Sequence, residues 1–335
     1  MSNNHEFTFV HTPKRCVDNI RAPFNIASEE YLLEHTTGSY IYFWRNESAV
    51  IVGKNQNTLS EVDLDYTTTK GIEVVRRMSG GGAVYHDMGN ICYTVIAPYD
   101  KDIDTYREFS KPLIEYLNSI GIPVQFSGRN DLMVGEYKVS GNAERVYRNR
   151  VMHHGTLLYD TDLTVLSKAL IPSPLKLKSK GIKSIRKRVK NIKEVCNIDL
   201  DKDQFFEKLV DHFSSIYKSI EFSDSQIQMI KSIADAKYAT YEWNVGESPK
   251  AEFTKKVKFD YGIVELSFDI IDGVLANTRL LGDYFELKNT AEIEAKLNGV
   301  RPNRGALSDA LIDIGDYIRG AEVGQFIDKI FFDGE

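Results

Sequence analysis

Two clusters in this sequence carry side chains suited to holding an anion. The first is RRMSGGGAVYHD, Arg76 to Asp87, which puts two arginines, three consecutive glycines and a His-Asp pair into one short stretch. A glycine run loses more backbone entropy on folding than almost any other triplet, so something must offset that cost. Placed between two strands, such a run lets backbone N–H groups converge on an anion without interference from Cβ atoms. One guanidinium of Arg76 or Arg77 could add a bidentate grip on phosphate or carboxylate. A purely structural tight turn is the alternative, although two glycines would suffice for that. The chain has no Walker A sequence, and no GxGxxG opens a helix, so the ordinary P-loop and dinucleotide sites are not expected.

The second cluster is GRNDLMVGEYKVSGNAER. Asn130 and Asp131 precede a hairpin-like pair, and Lys138 lies just after it. Asp131 is suited to Mg²⁺ held jointly with nucleotide phosphates, because magnesium favours one or two carboxylates plus phosphate oxygens. Lys138, followed by Ser140 and Gly141 near an expected helix start, reads either as a phosphate-facing cation or as surface decoration. Downstream, HHGT (His153 to Thr156) puts two histidines side by side on a strand, where they point to opposite faces. They cannot form a simple metal pair, and a packing or hydrogen-bonding role is expected for each.

These residues need elements to hold them. YIYFWR and AVIVGK read as strands flanking the polar turn NES, and EVVRR and ICYTVIA as two more, joined by the glycine segment. APFNIASEEYLLEHT has helical spacing at Phe24, Ala27, Tyr31 and Leu32. Tyr106 to Ser119 reads as a helix in which Pro112 must form a kink or lie in the first turn. DLMVGEYKVSG gives two short strands around a glycine turn, and VMHHGTLLYD gives another strand. Asp203 to Ile220 and Ser223 to Ala236 are expected to be amphipathic helices. A linker is expected at Gly246 to Pro249. After it come three strand patterns, with a turn at Asp272-Gly273, and then three helical segments.

Composition limits the classes that remain. The 335 residues allow one large domain and a smaller one. No apolar run is long enough to cross a bilayer, and the N-terminus lacks a secretory h-region. The cysteines Cys16, Cys92 and Cys196 are odd in number and have no CxxC, which points to reduced thiols in a cytoplasm. A net charge of −6 argues against general nucleic-acid binding. The basic run KLKSKGIKSIRKRVK, Lys176 to Lys190, contains eight Lys/Arg and no acid, so the remainder carries −14. Such a run is either a solvated face or an anion-seeking loop.

In order and spacing, RRMSGGGAVYHD, GRNDL, KVSGNAER, HHGTLL and KGIKSIRKRVKNI resemble the lipoate–protein ligase A family of the biotin/lipoate ligase superfamily. The likeness runs through essentially the whole chain, including YEWNVG before a C-terminal segment. Met78 departs from it, standing where the family often has a small polar residue. The resemblance implies an α/β fold with two parts. Residues 1–246 would be a large catalytic domain, with a mixed central β-sheet flanked by helices. Residues 247–335 would be a small α+β accessory domain. It implies that lipoate is activated by ATP and Mg²⁺ to lipoyl-AMP. The lipoyl group would then pass to a lysine of an acceptor domain, such as a 2-oxoacid dehydrogenase E2 subunit or glycine cleavage H protein.

Carried over position by position, Arg77, Gly82, Ala83, Val84, Tyr85 and Lys138 would contact ATP. Arg77, Ser79, Gly80, Gly81, His86 and Lys138 would contact lipoate, with Lys138 as the catalytic cation. Lys180, Gly181, Arg186 and Arg188 would belong to a loop that closes over the adenylate. An acyltransferase on the same fold, moving octanoyl or lipoyl groups through a cysteine thioester without ATP, is the nearest rival. It needs a cysteine beside Lys138 or the glycine run, and Cys92 is the nearest in sequence. A biotin ligase would carry a GRGRxGR-type loop, which is absent. A carrier that merely binds lipoyl groups, or nucleic acid through residues 176–190, belongs to a different class; failure of lipoate to provoke pyrophosphate release would favour it.

Overall fold

The computed structural model describes residues 6–128, 130–171, 189–246, 253–271 and 273–332. The basic segment from Lys176 to Arg188, the expected linker from Glu247 to Pro249 and the turn residue Asp272 lie outside them. Two compact units emerge: one contains residues 1–51, 63–75 and 84–240, the other residues 52–62, 76–83 and 241–335.

The first unit is built on β1 (Phe7–His11), β2 (Ser39–Trp44), β3 (Ala49–Val52), β4 (Glu73–Arg76), β5 (Val84–His86) and β6 (Asn90–Pro98). It continues through β7 (Val124–Ser127), β8 (Asp131–Val134), β9 (Tyr137–Tyr147), β10 (Arg150–Leu158) and β11 (Lys218–Glu221). Eight of these form one mixed sheet in the order β11-β1-β2-β6-β10-β9-β8-β7. The strands β4, β3 and β5 form a separate small sheet. At the centre of the large sheet, β6 and β10 pair antiparallel along their whole length. Every residue of β6 except Pro98 is buried, because helices cover both faces of the sheet there. That explains why ICYTVIA reads as a continuous apolar run rather than an alternation.

On one face Phe9, Ile41, Phe43, Tyr93 and Val95 meet Leu113 and Leu117 of the helix Thr105–Ser119. They also meet Phe205, Leu209 and Phe213 of the helix Lys202–Ile216. Each such side chain contributes about 1.5–3 kcal/mol on burial. The helix Ala22–Glu34 is buried on nearly every side. It carries Asn25 and Glu29 into the interior, where Asn25 Nδ2 donates to the Asn19 and Arg45 carbonyls.

The expected elements are present, with two corrections. Ser140 and Gly141, expected near a helix start, lie inside the strand β9; Pro112 lies within the helix Thr105–Ser119, past its first turn, which is one of the two places open to it. The helix expected over Asp203 to Ile220 ends at Ile216, because Lys218–Glu221 leaves it to pair parallel with β1 as an edge strand. Its start is fixed by a capping box, in which Asp201 accepts from Asp203 N and Gln204 N and Gln204 Oε1 accepts from Asp201 N. Ser223 and Gln226 cap the helix Asp224–Ile233 in the same way, and that helix runs on into a π-helical turn, Ala234–Tyr238.

The second unit contains β12 (Phe253–Phe259), β13 (Gly262–Ile271) and β14 (Val274–Gly282) in one antiparallel sheet. Val264, Leu266, Leu275 and Leu280 of this sheet pack with Ile293 and Leu297 of one helix and Leu307 of another. Residues 52–62 and 76–83 belong to the same compact unit.

Candidate active site

The glycine segment begins with two arginines of different use. Arg76 is 1% exposed, and its guanidinium is surrounded by backbone carbonyls. Nε donates to Trp243 O at 2.9 Å, and Nη1 donates to Lys54 O at 2.9 Å and Gln56 O at 2.6 Å. Nη2 donates to Thr58 Oγ1 at 2.8 Å. Asn244 Oδ1 accepts from the Arg76 amide, and Trp243 Nε1 donates to the Arg76 carbonyl. Arg76 is therefore the tie between the 53–58 loop and YEWNVG. A guanidinium suits this place because it stays charged and spreads several donors in a plane.

Arg77 braces the glycine run itself. Its Nε donates to Ser79 Oγ at 3.0 Å, and its Nη2 to Gly80 O at 2.5 Å and Gly82 O at 3.0 Å. With the Gly80 and Gly82 carbonyls turned towards the guanidinium, the amides sharing those trans peptides, Gly81 N and Ala83 N, point away from it, as anion binding needs. Two of the three glycines also have packing reasons. A Cβ on Gly80 would lie 2.3 Å from Tyr284 O, and Gly81 has φ +91° with Arg77 Nη2 2.9 Å from where its Cβ would be. Gly53 continues the theme, since its Cβ would lie 2.0 Å from Gly81 O. Ser79 is buried, and its carbonyl accepts from Lys54 N at 2.8 Å.

Beyond Ala83 the chain enters β5 in the first unit. Val84 and Tyr85 pair with Ile51 and Val50. Tyr85 Oη meets Ser48 Oγ at 3.1 Å, and burial pushes its phenol up. His86 is buried, with Asn46 Nδ2 donating to its Nδ1 at 3.1 Å and Trp44 stacked obliquely nearby. Asp87 is taken up locally, accepting from Gly89 N and Asp162 N.

Lys138 and Asp131 come together in the first unit. The turn at Gly135-Glu136 sets Val134 opposite Tyr137 and Met133 opposite Lys138. A bulge then shifts the register, so that Gly141 and not Ser140 stands opposite Asp131. Asp131, Lys138 and Gly141 consequently share one face. Lys138 Nζ lies 2.6 Å from Asp131 Oδ1, and a Cβ on Gly141 would crowd Nζ at 3.3 Å. The pair is about one-third exposed, 34% for the lysine and 36% for the aspartate, so a ligand can reach it. Asp131 supplies a single carboxylate, and among the described residues no group of three or more His, Cys, Asp or Glu could hold a metal ion. That donor set fits magnesium only with phosphate oxygens completing the shell.

The two histidines of HHGT diverge as alternation requires. His153 Nδ1 meets Glu144 Oε1 at 3.2 Å, and His154 Nδ1 meets Glu29 Oε1 at 2.9 Å. Glu29 also accepts from Thr94 Oγ1, which itself accepts from Trp44 Nε1. Sequence reasoning singled out neither carboxylate. The one signal for Glu29 was an acid within an apolar stretch of helix.

Residues 21–214 match the lipoyl protein ligase A/B catalytic domain. The chain belongs to this family. Residues 248–330 match the bacterial lipoate protein ligase C-terminus. Lipoate–protein ligase 1 of Staphylococcus aureus is 38% identical over 309 residues, which cover 90% of this chain and 93% of that protein. Among solved structures, a bi-partite lipoate protein ligase studied with its E2 lipoyl domain, from Thermoplasma acidophilum, superposes with a TM-score of 0.62 at 27% identity. The match covers 74% of this chain and 99% of that one. A lipoate-protein ligase A bound with ATP has a TM-score of 0.57 at 27% identity, covering 67% of this chain and 94% of that one. This ligase thus has the mixed α/β fold with a small C-terminal domain that its motifs implied.

Among the described residues the thiols do not favour the thioester rival. Cys92 is 2% exposed and lies 3.5 Å from His86 Nδ1, with Asn90 Nδ2 donating to its sulfur. Burial pushes its thiol well up, the opposite of what an attacking thiolate requires. Lys180, Gly181, Arg186 and Arg188 lie outside the described residues. No helix among the described residues is long and apolar enough to cross a membrane.

Proposed function

We propose that this ligase activates lipoate with ATP to form lipoyl-AMP, and then transfers the lipoyl group to a lysine of an acceptor domain. Family membership and the resemblance to a ligase bound with ATP support the substrates. The observation that carries the mechanism is the accessible Lys138–Asp131 pair over Gly141.

A carboxylate is a poor acyl donor, because its leaving group would be oxide. Its oxygen attacks the α-phosphorus of ATP, a C–O–P mixed anhydride forms, and the bond to pyrophosphate breaks. The acceptor amine, in its neutral form, then attacks the acyl carbon, AMP departs with the bonding pair, and the proton lost by the nitrogen passes to solvent. Two anions must meet in the first step. Fixed cations and backbone donors are therefore needed where charge accumulates. Lys138 supplies the cation in both half-reactions. The glycine run supplies backbone donors, with carbonyls held back by Arg77; Gly82 to Tyr85 are assigned to the nucleotide, and Ser79 to Gly81 with His86 to lipoate. Magnesium, bound by Asp131 and the phosphates, would offset charge on the departing pyrophosphate. Acceptors of the E2 lipoyl-domain and glycine cleavage H-protein classes fit this chemistry.

The test is mass spectrometry of such acceptor domains incubated with the protein, lipoate and ATP/Mg²⁺. One lipoyl mass increment on a lysine, dependent on ATP, is expected. Transfer without ATP from an acyl donor would replace this reading with the acyltransferase.

A further inference from the structure

We propose that Tyr93, Asn142 and Gly155 form a buried clamp that positions Asp131 and Lys138. The clamp rests on the reading of Lys138 as the cation of the reaction. It gives the glycine of HHGT a use. Gly155 stands directly opposite Tyr93 on one side and Asn142 on the other, so the three form a row across β6, β10 and β9. Strands two places apart in a sheet are separated by roughly 9–10 Å. Side chains from β6 and β9 can meet only by reaching over the strand between them. Any side chain at 155 would block that path, because its Cβ would lie 2.1 Å from Asn142 Oδ1 and 2.7 Å from the Tyr93 ring. With glycine there, Tyr93 Oη donates to Asn142 Oδ1.

Burial pushes the Tyr93 phenol up to about 12, so it remains a donor throughout the working pH range. Its bond fixes the orientation of the Asn142 amide, with Oδ1 towards the tyrosine and Nδ2 free to donate elsewhere. Nδ2 donates to Asn130 O at 3.0 Å, Asn130 Nδ2 returns a bond to Asn142 O at 2.7 Å, and Asn142 N donates to Asn130 O at 2.9 Å. Asn130 is the residue immediately before Asp131, whose carboxylate holds Lys138 Nζ. The corner that presents the carboxylate is thus pinned from the interior. Asn142 is 3% exposed, so without the tyrosine proton its Oδ1 would be stranded and the amide would turn to find another donor. Tyr93, Asn142 and Gly155 touch no substrate in this scheme; they are positioning residues.

The experiment compares wild type with Tyr93→Phe, which deletes only the donor, and Asn142→Ala, which deletes the relay. Two readouts are taken on the full chain. The first needs no activity: competitive acetylation with limiting acetic anhydride, with each lysine quantified by peptide mass spectrometry. Loosening the corner should raise labelling of Lys138 several-fold while Lys54 and Lys237, ion-paired elsewhere, stay unchanged. The second is lipoate-dependent ATP–pyrophosphate exchange. A displacement near 1 Å costs on the order of 10²-fold, so kcat should fall by about ten- to a hundred-fold with KM for lipoate nearly constant. Unchanged Lys138 labelling in both variants overturns the clamp, whatever the activity. Equal rises at all lysines do so too, since they report unfolding. If labelling rises at Lys138 but wild type shows no exchange, the clamp stands and the proposed function falls.

Discussion

Replacing Arg76 tests whether the first arginine of the RR pair is there for structure. Arg76→Ala would leave the carbonyls of Gly53, Lys54, Gln56 and Trp243 and the Thr58 hydroxyl without this donor, in buried or part-buried positions. A hydrogen bond from a charged donor contributes about 1.5–3 kcal/mol in isolation, yet the guanidinium also had to be desolvated. The net cost of removing one partner from such a buried network is about 3–5 kcal/mol. A protein of this kind is stable by roughly 5–15 kcal/mol in total. The change should therefore consume about a third of the margin. Arg76→Lys keeps the charge but only three donors and no planar fork, so about 2 kcal/mol should still be lost. The sequence has two tryptophans, Trp44 in the first unit and Trp243 beside Arg76. In a Trp44→Phe background, urea unfolding followed by Trp243 fluorescence reports on the relevant unit. A loss below about 1 kcal/mol for Arg76→Ala would refute the reasoning and return Arg76 to the list of ligand-binding candidates.

Lys138→Ala should slow both lipoyl-AMP formation and transfer from preformed lipoyl-AMP by roughly 10²-fold or more, with an unchanged melting temperature because the side chain is partly exposed. Rapid-quench assays of each half-reaction decide this. Cys92→Ala should leave turnover intact at a cost of about 1–2 kcal/mol in stability. In wild type the Cys92 thiol, pushed up by burial, should resist iodoacetamide at pH 8 until the protein is unfolded. An acyl-thioester trapped on it would contradict both statements. Gly53→Ala should drive the glycine run away from its place, since its new methyl meets Gly81 O at 2.0 Å. The expected outcome is a raised KM for ATP together with a loss of about 1–3 kcal/mol in denaturant titration.

Much of the scaffold was legible because local pattern and burial agree. ICYTVIA is an unbroken apolar run, and it is the central strand covered on both faces. The divergence of His153 and His154 followed from strand alternation alone. What could not be read depends on partners distant in the chain. Arg76 and Arg77 are the same residue type one position apart. Their different uses come from carbonyls at 53–56 and 243 in one case and from the glycine run itself in the other. The helix expected to reach Ile220 stops early because β1, some two hundred residues upstream, takes up Lys218–Glu221 as its neighbour. Asn142 looked like an unremarkable polar residue in KVSGNAER until the strand order set it across Gly155 from Tyr93.

The grouping of residues 52–62 and 76–83 with the C-terminal residues bears on how the chain comes into being. Arg76 has been translated when its partner Trp243 still lies 167 residues ahead. At about 5–20 residues per second, synthesis needs roughly ten to thirty seconds to deliver that partner. Through that interval the eight-stranded sheet gains its strands one after another, while Arg76 has only its upstream carbonyls at 53–56 and lacks Trp243, and Gly80 lacks the Tyr284 backbone. A ribosome-bound fragment can therefore build most of the sheet and still lack a shaped glycine run. The C-terminal residues are thus the last to complete the surroundings of Arg76 and the glycine run.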